Sequence, residues 1–295
     1  MRSAQQILDL ILTLAAHDER IRAVAMNGSR VNPNCPVDLF QDFDIVYLVN
    51  DMASFIQNPN WVDVFGERII MQTPDQMSSP HLTQIDRYAY LMLFADGNRI
   101  DLTLVPIDNR AQYCRADSLT VILLDKDQAL PDIPLPSDKD YWVKRPTPEA
   151  YAACCNEFWW VSTYVAKGLW RNELLYAQDH MNMYVRPMLI QMLEWHVGFQ
   201  TDFKVSVGKN AKYLEQYMPA SSWKALLATF AEGSYSKMWA SLFAMGELFR
   251  STALAVGNRL NVIYNHEEDE RVTQYLRHVH QLPPDAEQFS STYHS

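Results

Sequence analysis

At 295 residues with 48% hydrophobic side chains, the chain is long enough to bury a substantial core and to divide into two domains. Its formal charge of −10, from 25 basic and 35 acidic side chains, argues against a nucleic-acid substrate, because phosphate backbones call for clustered Lys and Arg; a polycationic small molecule suits it better. No run reaches the roughly eighteen apolar residues that span a bilayer, and the opening Met1 to Gln6 leads straight into an amphipathic pattern, so neither a membrane anchor nor a signal peptide is expected and the cytoplasm is the expected compartment.

Ile7, Leu8, Ile11, Leu14 and Ala15 recur at helical spacing and predict a helix over 3–16. A short apolar run over 21–26 reads as a strand ending at Asn27-Gly28-Ser29, and after a Pro-rich loop a second strand runs over 43–49. A third covers 68–72. Runs over 88–94 and 99–105 flank Ala95-Asp96-Gly97-Asn98, a hairpin signal because Gly and Asn tolerate the positive φ angles of tight turns. A last strand is predicted over 119–124. Pro131, Pro134, Pro136, Pro146 and Pro148 then mark a linker, with Thr147 as the N-cap of the following helix and Pro148 in its first turn. Beyond it the spacing predicts helices over 149–170, 174–197, 209–217, 221–231, 234–256 and 269–280, and a polar, loosely held tail over 282–295. The chain thus reads as a sheet-bearing half over 1–140 and a helical half over 141–295.

The chemistry concentrates in the first half. Asp42 and Asp44 stand at the head of a predicted strand, where the period of two puts both carboxylates on one face. Asp101 lies in the strand after the hairpin, with Ile100, Leu102 and Leu104 facing the other way. Three carboxylates on one sheet face repel one another unless a cation intervenes, and a hard divalent ion such as Mg²⁺ takes few carboxylates while keeping positions open for phosphate oxygens. Gly28 and Ser29 close the preceding strand, where backbone N–H groups and a hydroxyl can approach a triphosphate. The plainer alternatives are a solvated strand end for Asp42 and Asp44 and a hairpin-edge charge for Asp101.

In the second half, Lys167 and Arg171 lie four apart on a predicted helix in line with Trp160 and Tyr164, either facing a nucleotide or forming a solvated surface. Asp179, Asn182 and Arg186 fall at i, i+3 and i+7, which would place them on one face; Asp179 then either binds a cationic ligand group or pairs with Arg186. Glu67 and Asp86 are further acidic candidates. No His spacing suits zinc.

The stretches Asn27-Gly28-Ser29-Arg30, Phe40-Gln41-Asp42-Phe43-Asp44-Ile45-Val46, Phe65-Gly66-Glu67-Arg68-Ile69 and Gly97-Asn98-Arg99-Ile100-Asp101-Leu102-Thr103-Leu104 resemble the aminoglycoside 6-adenylyltransferases. So do Asn156-Glu157-Phe158-Trp159-Trp160-Val161, the run from Tyr164 to Arg171 and Tyr176-Ala177-Gln178-Asp179-His180, and the resemblance covers nearly the whole chain. It implies the nucleotidyltransferase fold shared with DNA polymerase β, a two-domain α+β chain with an N-terminal mixed sheet and helices followed by a C-terminal α-helical bundle. It implies transfer of AMP from ATP to the 6-hydroxyl of streptomycin, with pyrophosphate leaving, and hence antibiotic resistance. Carried over by position, Gly28 and Ser29 match the nucleotide-gripping turn, Arg30 continues it, and Asp42, Asp44 and Asp101 match the metal-binding carboxylates for two Mg²⁺ ions, with ATP as co-substrate. Lys167, beside Arg171, is assigned to the departing pyrophosphate. Asp179, Asn182 and Glu67 are assigned to the drug, Asp179 through a guanidinium of streptomycin. Asp101 either holds the second ion or takes the proton of the attacking hydroxyl, and Asp179 competes with it as base. The alternatives are transfer to a lincosamide or a kanamycin-type aminoglycoside, and a non-catalytic binding module that keeps the fold.

Overall fold

The computed structural model describes residues 1–78 and 86–289, so the last six residues of the expected loose tail lie outside the described residues. The chain divides into two compact units, Met1–Asp140 and Tyr141–Ser295. Among the described residues no helix is long and apolar enough to cross a membrane.

The first unit opens on α1 (Ala4–His17), started by a reciprocal cap: Gln6 N–H donates to Ser3 Oγ and Ser3 N–H to Gln6 Oε1. Its Ile7, Ile11 and Ala15 are fully buried against a six-stranded sheet. The strands are β1 (Ile21–Asn27), β2 (Phe43–Val49), β3 (Arg68–Gln72), β4 (Tyr88–Phe94), β5 (Arg99–Pro106) and β6 (Thr120–Asp125), in the order β3-β4-β5-β2-β1-β6. β2 and β5 run parallel and the other neighbours antiparallel, which makes the sheet mixed and the chain α+β. Alternation along the strands builds two unequal faces. Phe43, Ile45, Tyr47 and Val49 with Ile100, Leu102 and Leu104 join α1 in the main core, and Tyr47 Oη donates to Ile11 O at 2.8 Å. Ala23, Ala25, Val46, Leu48 and Val105 form a smaller cluster on the opposite face. The β4–β5 hairpin turns at Gly97, whose φ of 83° lies in the left-handed region that glycine favours.

Short helical segments of this unit escape the sequence pattern, among them α2 (Met52–Gln57), the 3₁₀ turns Pro59–Phe65, α3 (Pro74–Ser78) and α4 (Arg110–Ala116). Each is too short for a period of 3.6 to declare itself. Trp61 in the second packs against α2 and the sheet, with ring centroids 4.7 Å from Phe55 and 5.5 Å from Tyr90.

The second unit is helical: α5 (Pro148–Trp170), α6 (Leu174–His180), α7 (Arg186–Gln200), α8 (Ala220–Leu227), α9 (Tyr235–Leu260) and α10 (His266–Gln281). Thr147 caps α5 as its sequence predicts, accepting from Ala150 N–H at 3.2 Å. Phe158 stacks on Phe249 at 3.8 Å between centroids, and Trp159 fits edge-on to both, so these aromatics are core. Arg250 forks onto the buried Asp269 at 2.5 and 2.6 Å, and Asp269 also accepts from Tyr264, which in turn accepts from Trp159 Nε1.

Three helix expectations fail here. The helix predicted over 209–217 is a pair of 3₁₀ turns, Lys209–Ala211 and Leu214–Tyr217, because Asn210 and Ala211 have φ of 56° and 59° and an α-helix cannot pass through that region. The helix predicted over 174–197 is interrupted by a π turn at Met181–Val185. Pro187 lacks an N–H and its ring crowds the carbonyl one turn back, which the wider turn relieves. The helix over 221–231 also ends early, at Leu227, and the Thr229 carbonyl that follows accepts from Arg186 at 2.8 Å and from Ser241.

Candidate active site

Registration of three adjacent strands places Asn27 opposite Asp44 and Asp44 opposite Asp101, so one row of the sheet carries all three. Their neighbours Phe43, Ile45, Ile100 and Leu102 point into the main core, leaving Asp44 and Asp101 on the other face with Asp42 just beyond the end of β2. Gly28 begins a 3₁₀ turn, Gly28–Val31, directly after β1, with φ of 76°. A Cβ there would overlap Asp44 Oδ2 and stand 3.0 Å from its Cγ. Glycine is thus needed twice, for the backbone angle and for the approach of the carboxylate.

Burial, reinforced by the negative charges of Asp101 and Asp42, pushes the Asp44 carboxyl up to about 6, against the smaller opposing pull of Arg99 and Arg30. Asp42 is raised as well, burial again leading, with Arg99 opposing. Arg99 answers Asp101 with a fork, Nε to Oδ1 at 2.8 Å and an Nη to Oδ2 at 2.7 Å, and lies 3.7 Å from Asp42. Its own pKa is raised by that hydrogen bond to Asp101 first. Sequence reasoning missed Arg99 as a member of the site, although its spacing of two from Asp101 on one strand was a sufficient signal.

Around this row sits a positioning shell, of which the sequence reading names Arg30 alone, and that as part of the nucleotide turn. Asn27 Nδ2 donates to Thr120 Oγ1 at 2.7 Å, and Tyr113 Oη donates to Asn27 Oδ1 at 2.7 Å, fixing the end of β1 from which the Gly28 turn departs. Arg30 donates to the carbonyls of Gln41 and Asp42 at 2.7 and 3.0 Å and stacks 3.6 Å over Phe43. Burial lowers its pKa. The side chain therefore braces the loop that delivers Asp42. Beyond Asp101 the same sheet face continues through Leu91 to Gln72 and floors a cavity of about 690 Å³, with Asp42, Arg99 and Phe40 at its side.

Chemically, three carboxylates facing one guanidinium leave an excess of negative charge that suits a hard divalent cation. Among the described residues no three His, Cys, Asp or Glu side chains converge as a ready-made metal centre. The donor type, and a buried Asp44 whose ionised form is disfavoured first by burial and then by its acidic neighbours, fit Mg²⁺, while both Asp101 oxygens are held by Arg99. The residues present therefore fit the ion in charge and chemistry.

The remaining candidates are not part of that row. Glu67 is exposed ahead of the edge strand β3, with β4 between it and β5, and Asp86 is exposed ahead of β4. In the second unit Lys167 lies 4.4 Å over the Tyr164 ring and shares with Arg171, Trp170 and Phe289 the wall of a cavity of about 220 Å³. Asp179 is exposed, and no ion pair joins it to Arg186 among the described residues. The π turn between them adds backbone within one turn and removes the shared face that a regular helix would give. Arg186 instead binds Asn182 Oδ1 at 3.1 Å and Thr229 Oγ1 at 2.8 Å and stacks 3.9 Å over Phe230, so Asn182 is a partner of this clamp.

The family model and the sequence relatives agree. The family model described as streptomycin adenylyltransferase matches residues 1–279. An aminoglycoside 6-adenylyltransferase of Bacillus subtilis (strain 168) is 44% identical over 283 residues, 95% of this chain and 99% of the relative. One from Campylobacter jejuni is 43% identical over 277 residues, 94% of this chain and 95% of the relative. Among solved structures, the crystal structure of an aminoglycoside 6-adenyltransferase from Bacillus subtilis aligns over 96% of this chain and 100% of that one, at 40% identity and a TM-score of 0.48.

Proposed function

Because the chain belongs to the streptomycin adenylyltransferase family, and is thereby a nucleotidyltransferase enzyme that modifies aminoglycosides, we propose that it transfers AMP from Mg-ATP to the 6-hydroxyl of streptomycin and releases pyrophosphate. The observation that carries the reading is the register row in which Asp44 faces Asp101 across parallel strands and packs against Gly28. Phosphoryl-type transfer needs little covalent help from the protein; it needs an in-line arrangement and compensation of developing charge.

In this reading Asp42 and Asp44 would hold Mg²⁺, and Asp101 would either hold a second ion or take the proton of the attacking hydroxyl. The bound ion supplies charge neutralisation and Lewis-acid polarisation at the α-phosphate. Gly28 lets the nucleotide approach the backbone, and Ser29 offers a hydroxyl donor at the same turn. Arg30 acts through the loop carbonyls it binds, keeping Asp42 at the head of β2. A carboxylate takes the proton of the attacking hydroxyl, and Asp101 is the first candidate because it stands in the row with Asp44. Lys167 and Arg171 are assigned to the departing pyrophosphate, whose charge grows as the P–O bond breaks. Asp179 is assigned to a guanidinium of streptomycin, for which an exposed carboxylate is an apt bidentate partner. Asn182 and Glu67 complete the proposed drug contacts.

The test is a panel: protein, ATP and Mg²⁺ with streptomycin, a kanamycin-type aminoglycoside or a lincosamide, reading pyrophosphate release. Release triggered by streptomycin is expected. Release with another compound alone would move the acceptor, release of ADP would make the reaction a phosphotransfer, and silence with every compound would favour a binding module.

A further inference from the structure

Arg99 and Asp101 stand two apart on β5, so both side chains belong to the carboxylate face of the sheet. The guanidinium meets Asp101 fork to fork at 2.8 and 2.7 Å, which engages both carboxylate oxygens, and the same group lies 3.7 Å from Asp42. One cation therefore spans two of the three acids. Arg30, the other nearby guanidinium, does not share this task, because its nitrogens bind the carbonyls of Gln41 and Asp42. The Arg99 side chain is 43% exposed, whereas Asp101 is 19% exposed. Arg99 can leave without opening the core; Asp101 cannot follow it.

We propose that Arg99 is the counter-cation of the metal-free enzyme and competes with the divalent ion for Asp101, so that the ion enters by exchange. This rests on the proposed function in one respect, the assignment of Asp101 as a metal carboxylate. The fork occupies one lone pair on each Asp101 oxygen and holds a positive charge against both, so a divalent ion approaching the same carboxylate is repelled by the guanidinium and binds best when the fork gives way. The released guanidinium keeps its planar donor fork, and the anionic triphosphate that accompanies the ion is the partner whose geometry matches it. Ion and nucleotide then favour each other's binding: the ion frees Arg99, and the nucleotide gives Arg99 somewhere to go. Arg99 is thus a positioning residue whose effect is read in metal affinity.

The experiment titrates Mn²⁺ into the full chain, reading free ion by electron paramagnetic resonance, for the wild type, Arg99→Ala and Arg99→Gln, with and without a non-hydrolysable ATP analogue. Without nucleotide both variants are expected to bind Mn²⁺ about tenfold more tightly than the wild type, within the ordinary range of coupling between sites. The analogue is expected to improve Mn²⁺ affinity more in the wild type than in either variant. Equal or weaker Mn²⁺ binding by folded variants, or no binding by any form, would overturn the exchange. Tighter binding by the variants in a protein that adenylylates no antibiotic would sustain it and count against the proposed function alone.

Discussion

Asp44→Asn should make the metal-free protein more stable while removing its activity. Asp44 is raised to about 6 by burial and by the charges of Asp101 and Asp42, so the native site disfavours its ionised form. Moving a carboxyl from about 4 to about 6 corresponds to roughly 3 kcal/mol against the ionised native state, and partial exposure and local relaxation reduce this to about 1–3 kcal/mol. The sign is that of a raised acid: between the unfolded and folded pKa values the native state binds more protons, so its stability falls as pH rises through that window. Above about 6 the cost is fully present, and below about 4 it is gone. Asparagine keeps the shape and discards the charge. Thermal unfolding in EDTA at pH 7.5 should therefore show the variant melting about 2–4 °C higher per kcal/mol recovered, with the difference vanishing near pH 4. Mg²⁺ should raise the melting temperature of the wild type and leave that of the Asp44→Asn variant nearly unchanged. A variant less stable at pH 7.5, or a gain independent of pH, would refute the claim that burial and the neighbouring charges disfavour an ionised Asp44.

Other outcomes follow from the same geometry. Gly28→Ala should reduce adenylylation at least about a hundredfold, because the new Cβ overlaps Asp44 Oδ2 at a backbone angle that alanine resists; steady-state kinetics with a circular dichroism control would check it, and near-normal turnover would contradict it. Asp101→Asn should lower the rate by about three orders of magnitude and, if Asp101 is the base, remove the acidic limb of the pH–rate profile that Asp179→Asn retains. Asp269→Ala should destabilise the helical unit by about 3 kcal/mol in urea unfolding, since it removes the buried fork on Arg250, leaving that side chain only Glu247 and Thr273, and removes an acceptor of Tyr264; a loss below about 1 kcal/mol would show that the pair is dispensable.

The strands and the carboxylate row were legible in the sequence because alternation is a strong signal: Phe43, Ile45 and Tyr47 against Asp44, and Ile100 and Leu102 against Asp101, declare which face carries the carboxylates. What the pattern cannot state is pairing. Nothing local says that Asp44 and Asp101 share a row across parallel strands, or that Arg30 spends its guanidinium on loop carbonyls. Short helices such as α2 and α4 were lost because fewer than two turns show no period. The π turn ahead of Pro187 shifted a helix face that simple counting from Asp179 to Arg186 had treated as continuous, and the left-handed residues Asn210 and Ala211 ended a helix that spacing alone would extend. In each case a backbone constraint overrode the side-chain pattern.

The most direct measurement follows streptomycin itself through the reaction. Incubated with the protein, ATP and Mg²⁺, it should gain the mass of one adenylyl group, with nuclear magnetic resonance locating the new phosphodiester at the 6-hydroxyl and one pyrophosphate released per drug modified. Unmodified streptomycin, attachment at another hydroxyl, or ADP in place of pyrophosphate would contradict the assignment.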